Sequence, residues 1–359
     1  MTTRVLIMAG GTGGHVFPAL AVAEELKNRA VDVFWIGTEK GIESKLVPAA
    51  GLPISFINVQ GLRGNGLLGW LLAPFKLVKA VIEALSVIRT IKPDVVLGLG
   101  GFASGPGGIA AKLAAKPLVI HEQNAIPGLT NKLLSRLAQT VMEGFPHSFP
   151  STLNAEWVGN PVRISIEKIV EPQQRYKNRT GPLRLLVLGG SLGARALNTF
   201  IPQALALLDE TSRPQIKHQC GQRHIDDCQQ AYAAVEVNAE ITAFIDDMAM
   251  SYAWADLVIC RAGALTIAEL AATGVAALLV PYPYAVDDHQ THNASALVNA
   301  GAAKLMQEQT LTAEMLATEI KRLTNDREQL LTMAKAARTQ AKLGTAKYIS
   351  DVCMELAHA

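Results

Sequence analysis

RVLIMAGGTGGHVFPAL, residues 4–20, sets the apolar run VLIM against a turn holding four glycines. The run reads as a short strand. Residues 18–30 read as a helix, with Leu20, Val22, Ala23 and Leu26 able to face inward while Glu24, Glu25, Lys27 and Arg29 stay outside. Pro18 suits its first turn, where a missing N–H costs nothing. VDVFWI, residues 31–36, is then a second strand. Strand, helix and strand joined by short links imply a parallel sheet, because parallel neighbours need a crossover.

Working outward, DVVLGL (94–99) and PLVI (117–120) continue the pattern, which ends near VGNPV at 158–162. Residues 164–181 are polar and poorly patterned, with Glu167, Lys168, Glu171, Pro172, Gln173, Gln174 and Arg175, and read as a linker. The grammar then restarts. LRLLVL (183–188) is a strand, GGSLGAR (189–195) a glycine turn, and residues 194–208 a helix, followed by strands at 215–219, 256–260 and 276–280. Two such openings half a chain apart give a duplicated α/β plan, two Rossmann-like lobes whose natural site is the cleft between them. The expected division is a first lobe at 1–163, a second at 164–340, and a helix at 341–359 that packs back on the first.

The 359 residues are 49% hydrophobic and 18% charged, which supplies two cores and argues against disorder. A mean hydropathy of +0.21 points to some exposed apolar surface. A net charge of +2 gives no global field for nucleic acid, so anion binding must be local. Cys220, Cys228, Cys260 and Cys353 form no CxxC pair, which suits a reducing compartment without disulfides. The opening MTTR runs straight into a strand without the regions of a signal peptide. No run reaches the ~20 apolar residues of a membrane-spanning helix.

Glycine turns follow four expected strands, at 10–14, 98–108, 189–193 and 261–264. Such turns let backbone amides approach an oxyanion, and a helix starting just after adds unpaired N–H groups and its positive dipole end. Three other readings compete. GTGGHV (11–16) offers the first two glycines of a dinucleotide fingerprint, but Val16 replaces the third and Glu39 is loosely placed as the ribose acid. GGSLG (189–193) matches a nucleophile elbow, with Asp256 and His289 downstream in hydrolase order, yet leaves the first lobe's loops unexplained. His218, Cys220, His224 and Cys228 cluster without a usual zinc spacing, so no metal is expected.

HEQN (121–124) and DDHQTHN (287–293) each follow an apolar strand, where ligands bind in doubly wound sheets. The amides of Asn124 and Gln290 suit sugar hydroxyls, since each both donates and accepts. Glu269, one turn into a helix after Ala264, can reach a ribose diol or simply face water. GLLGWLLAPFKLVK (66–79) crowds Leu68, Trp70, Leu71, Leu72 and Phe75 beside Lys76 and Lys79, with Arg63 just before. Such a segment suits an anionic membrane surface, or an ordinary core helix.

Together MAGGTGGHVFPALA (8–21), GLRG (61–64), KPDVVLGLGGFASGPGG (92–108), HEQNAIPGLTNK (121–132), VGNPVR (158–163), GGSLGAR (189–195), FIDDM (244–248), WADLVICRAGALTIAEL (254–270) and DDHQTHNA (287–294) resemble the MurG family of cell-wall N-acetylglucosaminyltransferases. The resemblance implies a GT-B fold with parallel sheets facing across a deep cleft. It implies a UDP-GlcNAc donor and a lipid I acceptor, with lipid II and UDP as products at the cytoplasmic face of the membrane. Other cell-wall synthesis proteins are further expected partners.

By position, the resemblance puts Ser191 at the donor diphosphate, Arg163 near the nucleotide, and the Ile245 backbone at uracil. Ala264, Leu265, Thr266, Ile267 and Ala268 would line the diphosphate and ribose, with Glu269 on the ribose hydroxyls. Gln290 and Asn124 would hold GlcNAc, and Thr12, Gly13 and Gly14 would edge the same cleft. Gly11, Gly14, Gly101, Ser104 and Gly105 would meet the acceptor.

The expected chemistry is inversion at the sugar's anomeric carbon, with no cofactor. It needs a base for the acceptor's C4 hydroxyl and a positive environment for the leaving diphosphate. His15 suits the base, because an ordinary imidazole is largely neutral at pH 7. Glu122 is the rival, as base or as the group that orients His15.

Overall fold

The computed structural model describes residues 2–59 and 66–358, the side chains of 66–72 excepted. The GLRG motif, Arg63 and the side chains of Leu68, Trp70, Leu71 and Leu72 thus lie outside the described residues. The chain divides into two compact units, Met1–Arg163 with Gly344–Ala359, and Ile164–Leu343.

Seven strands build the first unit: β1 Arg4–Met8, β2 Asp32–Gly37, β3 Ile54–Phe56, β4 Val95–Gly98, β5 Leu118–Glu122, β6 Thr140–Glu143 and β7 Glu156–Trp157. They pair in parallel in the order β3-β2-β1-β4-β5-β6-β7. Val5 and Ile7 pack on one face with Val16, Ala19, Val22 and Leu26 of the helix Gly13–Asn28. Leu6 and Met8 pack on the other with Ala84, Ile88, Ala110 and Ala111. Both faces of β1 are covered by helices, so VLIM shows no polar alternation. Each large apolar side chain sealed in this way contributes about 1.5–3 kcal/mol. The helix Thr345–His358 joins the first of these faces through Ile349 and Cys353. There Thr345 donates to the Val158 carbonyl at 2.8 Å, and Arg29 pairs with Asp351.

Two expectations for this unit need correction. The first helix begins at Gly13, not at residue 18, and Pro18 lies inside it. His15 and Val16 both donate to the Thr12 carbonyl at 3.2 Å, which nucleates the turn across two weak helix formers. Pro18 then costs one backbone bond within the helix. Strand β5 runs on to Glu122, so His121 and Glu122 are strand residues, paired with Met142 and Glu143.

The second unit has β8 Arg184–Leu188, β9 Gln215–Gln219, β10 Glu240–Thr242, β11 Leu257–Cys260, β12 Ala276–Leu279 and β13 Ala303–Leu305. The parallel order is β10-β9-β8-β11-β12-β13. Leu185 and Val187 pack against Leu197, Ile201 and Leu205 of the helix Arg195–Ala206. Residues 164–181 are not a plain linker. They hold the short helices Ile164–Glu167 and Pro172–Tyr176, and their side chains bind this unit. Arg175 donates to the Thr273 carbonyl at 2.6 Å, Tyr176 to the Asp256 carbonyl at 2.8 Å, and Arg179 forms a buried ion pair with Asp256.

In each sheet the strand order reverses beside a central strand, between β1 and β4 and between β8 and β11. The chain diverges there at the strands' C-terminal ends, which opens a crevice for ligands. All four glycine turns follow these four strands.

Candidate functional site

In the first unit, the turn after β1 is held from beneath by a carboxylate. Glu43 is fully buried; it accepts from Gly11 N at 2.9 Å, and from the Thr38 amide and hydroxyl at 2.9 and 2.7 Å. The helix Gly13–Asn28 starts directly afterwards, so the Gly13 and Gly14 amides have no acceptor within their own helix. His15 follows them, half-buried, with Nδ1 2.8 Å from Gln123 Oε1. The ring lies on the Gly100 turn. There φ is +97° and an added Cβ would sit 2.9 Å from the imidazole, so only glycine fits. Ser104 ties that turn down, donating its buried hydroxyl towards the Met8 and Gly100 carbonyls at 2.8 and 2.7 Å.

Behind His15 runs a buried polar row. Gln123 Nε2 lies 3.1 Å from His121 Nδ1 and 3.0 Å from the His121 carbonyl, and His121 Nε2 lies 2.8 Å from the Gly159 carbonyl. Burial pushes the His121 imidazole down to about 4, so it is neutral at pH 7. Glu122 faces away from this row and is 1% exposed. Its Oε1 accepts from the Asn124 amide and side chain at 2.9 and 3.1 Å. Its Oε2 accepts from Gly128 N and Asn131 Nδ2 at 3.1 and 2.9 Å.

In the second unit, Gln219 clasps the turn after β8. It accepts from Gly190 N at 3.0 Å and donates to the Gly190 and Ala243 carbonyls at 3.1 and 2.9 Å. Gly193, at φ +79°, packs on the Cys220 carbonyl so closely that no side chain fits. Ser191 is exposed at the tip of this turn. The helix Ala264–Thr273 starts after β11 with Gly263 as its cap, which leaves its first amides without intrahelical acceptors. Glu269 is 6% exposed on that helix and accepts from the Tyr252 hydroxyl at 3.0 Å. Gln290 accepts from Tyr282 N at 2.9 Å, which leaves its NH₂ group as a donor.

Residues 5–143 match the Glycosyltransferase family 28 N-terminal domain, and residues 184–349 match the Glycosyltransferase family 28 C-terminal domain. The chain is 57% identical over 357 residues to the UDP-N-acetylglucosamine--N-acetylmuramyl-(pentapeptide) pyrophosphoryl-undecaprenol N-acetylglucosamine transferase of Nitrosococcus oceani, covering 99% of each. It is 56% identical to the transferase of the same name from Chromohalobacter salexigens, over 98% of this chain and 97% of that one. The crystal structure of Acinetobacter baumannii MurG superimposes with a TM-score of 0.84 at 43% identity, covering 98% and 99% of the two chains. The chain belongs to the MurG family. Its two parallel-sheet units are those of the GT-B fold.

Within the MurG frame each expected site residue has a definite setting. The hydrogen-bond partner of His15 is Gln123, and Glu122 places both oxygens on the loop at 124–131. With four donors and 1% exposure, the Glu122 carboxylate braces that loop. Gly11 is half-buried and gives its amide to Glu43, while Ser104 is buried under the turn with its hydroxyl on backbone carbonyls. Gly101 and Gly105 are half-buried beside it, and Thr12 and Gly14 are exposed.

In the second unit, Asp247 caps the helix Met248–Trp254 by accepting from Met250 N at 2.8 Å, just after half-buried Ile245. The guanidinium of Arg163, in the first unit, lies 6.0 Å from the Phe17 ring centroid. The hydrolase alternative fails on geometry. Asp256 lies before β11, where its amide bonds the Arg184 carbonyl at the start of β8, while Ser191 lies beyond the end of β8. The strand between separates them by about 16 Å. His218 uses both ring nitrogens on Tyr232 and Asn198, and burial holds its imidazole down to about 3, so this cluster is a core polar network.

Glu43, Gln219 and Tyr252 carry no mark in the sequence, and Gln123 stands there only as one of the four polar residues of HEQN. Gln123 had a signal: with β5 extended by two residues, alternation puts His121 and Gln123 on one face and Glu122 on the other. The other three act across many residues, and no local pattern marks them.

Proposed function

We propose that this protein transfers GlcNAc from UDP-GlcNAc to the C4 hydroxyl of the MurNAc residue of lipid I, with inversion, giving lipid II and UDP in peptidoglycan synthesis. The relatives named above, at 56–57% identity over nearly the whole chain, support that donor and acceptor. The observation that carries the chemistry is His15. It is the half-exposed imidazole at the first helix's N-terminus, seated on a glycine turn that admits no side chain.

His15 takes the C4 hydroxyl proton as the oxygen attacks the anomeric carbon. The bond from that carbon to the UDP oxygen breaks, and the diphosphate leaves with the electron pair. Amides at Ala264, Leu265 and Thr266, with the Ser191 hydroxyl, receive the developing charge. Glu269, held by Tyr252, meets the ribose hydroxyls, and the Gln290 NH₂ group and Asn124 hold the sugar. Gly13 and Gly14 offer their amides to the acceptor's own diphosphate.

We place the protein peripherally at the cytoplasmic face of the membrane. Among the described residues no helix is long and apolar enough to cross a membrane. The helix Gly66–Ile91 leaves Phe75, Val78 and Ile82 on its surface, 75%, 58% and 62% exposed, at spacings that share one face. Lys76 and Lys79 beside them suit anionic lipid.

The test is incubation with labelled UDP-GlcNAc and a lipid I analogue. Label should enter the lipid product. His15→Ala should bind UDP-GlcNAc normally and lose about 10²–10⁴-fold in turnover. Near-normal turnover would move the base elsewhere; release of free GlcNAc without lipid product would make the chain a UDP-sugar hydrolase on the same two-lobed fold.

A further inference from the structure

The polar row behind His15 has a direction that its fixed ends dictate. One end of the Gln123 amide lies 3.0 Å from the His121 carbonyl oxygen. A carbonyl only accepts, so that end is the NH₂ group and the other is Oε1. His121 Nε2 lies 2.8 Å from the Gly159 carbonyl, so it carries the ring hydrogen. His121 Nδ1 then keeps its lone pair and accepts from Gln123 Nε2 at 3.1 Å. Desolvation keeps this ring neutral, with its imidazole pushed down to about 4, so the row does not reverse near pH 7.

One contact remains. Gln123 Oε1 lies 2.8 Å from His15 Nδ1, and an amide oxygen only accepts. His15 Nδ1 must therefore donate, and a neutral imidazole protonated there has its lone pair on Nε2. We infer that Gln123, anchored by His121 and the Gly159 carbonyl, is a positioning residue that pins His15 in the Nδ1–H tautomer and presents Nε2 as the proton-accepting atom. This rests on the reading of His15 as the base of the transfer.

The surrounding charges leave Gln123 that role. Glu122 is spent on Asn124, Gly128 and Asn131. Glu43 is spent on Gly11 and Thr38. Arg163 lies over Phe17 on the same helix as His15, and His121 is the neutral ring already described. No carboxylate among the described residues is hydrogen-bonded to His15. An amide orients the ring without the counter-charge that a carboxylate would bring. A negative partner would hold the imidazolium, and the ring would then stay protonated, with no lone pair to offer, over more of the pH range.

Histidine ¹⁵N NMR on the full chain reads the tautomer directly, with His15 assigned by the signal lost in His15→Gln. The expected spectrum at neutral pH has a protonated Nδ1 and a bare Nε2; an Nε2–H ring or an even mixture overturns the inference. Gln123→Glu should shift the acidic limb of the kcat/KM profile upward by about one pH unit or more. Gln123→Leu should lower kcat about five- to tenfold with UDP-GlcNAc binding unchanged. A Gln123→Glu enzyme that keeps the wild-type profile and a cooperative unfolding transition shows that Gln123 only fills space.

A pinned Nδ1–H ring with near-normal turnover in His15→Ala sinks the base and with it the positioning role. An inactive His15→Ala enzyme with a mixed tautomer sinks the row alone.

Discussion

Gly10, Gly37 and Gly41 form a socket around the Glu43 carboxylate, and a substitution on either side tests it. An added Cβ at Gly10 would lie 2.5 Å from Glu43 Oε1, 2.9 Å from its Cδ and 3.3 Å from its Oε2, so its three nearest atoms all belong to that carboxylate. Gly10→Ala should therefore destabilise the first unit through overpacking, by about 1–3 kcal/mol. Glu43→Ala removes a fully buried carboxylate and strands three half-buried donors, the Gly11 amide and the Thr38 amide and hydroxyl. At about 1–3 kcal/mol for each, softened by whatever water enters, a loss on the order of 3–5 kcal/mol is expected. The double variant carries the methyl into the space the carboxylate left. It should be no less stable than Glu43→Ala alone, a coupling of about 1–3 kcal/mol. Native-state hydrogen exchange at the β1 and β2 amides reads this unit by itself, which a whole-chain melt of two units does not. Additivity within about 0.5 kcal/mol would refute the socket.

Two further outcomes are expected. His121 and His218 are neutral in the fold, lowered to about 4 and about 3 from an ordinary 6.5, so below pH 6.5 the unfolded chain binds protons the native state refuses. Stability should be full above pH 6.5 and fall by up to about 1.4 kcal/mol per pH unit for each ring until its folded value is reached; denaturant titrations at pH 7 and pH 5 check this, and a flat profile rejects it. Replacing Phe75, Val78 and Ile82 together by serine should weaken sedimentation with vesicles containing anionic lipid while transfer to a detergent-soluble acceptor stays unchanged; unaltered sedimentation would remove this face from membrane binding.

Much of the fold was legible because buried parallel strands write themselves as unbroken apolar runs. VLIM and LLVL are buried throughout, and each precedes a glycine turn at a switch point. Helix starts were less legible. Two glycines and a proline argued against helix at 13–18, yet the turn closes on Thr12 and continues. Residues 164–181 misled for another reason. Their arginines look solvated, but Arg175 and Arg179 reach backbone carbonyls some eighty to a hundred residues away, and sequence periodicity says nothing of such partners. The site divides in the same way. His15 and the glycine turns stand out by type and spacing. The roles of Glu122 and Gln123 do not, because they are polar neighbours where one strand ends, and only that end shows which of them shares a face with His121.

The helix Thr345–His358 closes a core whose other parts were made much earlier. A ribosome adding about 5–20 residues each second must complete the whole of Ile164–Leu343 before that helix exists, a wait of roughly ten to forty seconds. During it, the nascent first unit exposes the apolar patch that Ile349 and Cys353 will cover. A chain broken off anywhere in its second half would therefore be left sticky in its first, marked for chaperones or proteases before it could meet a substrate.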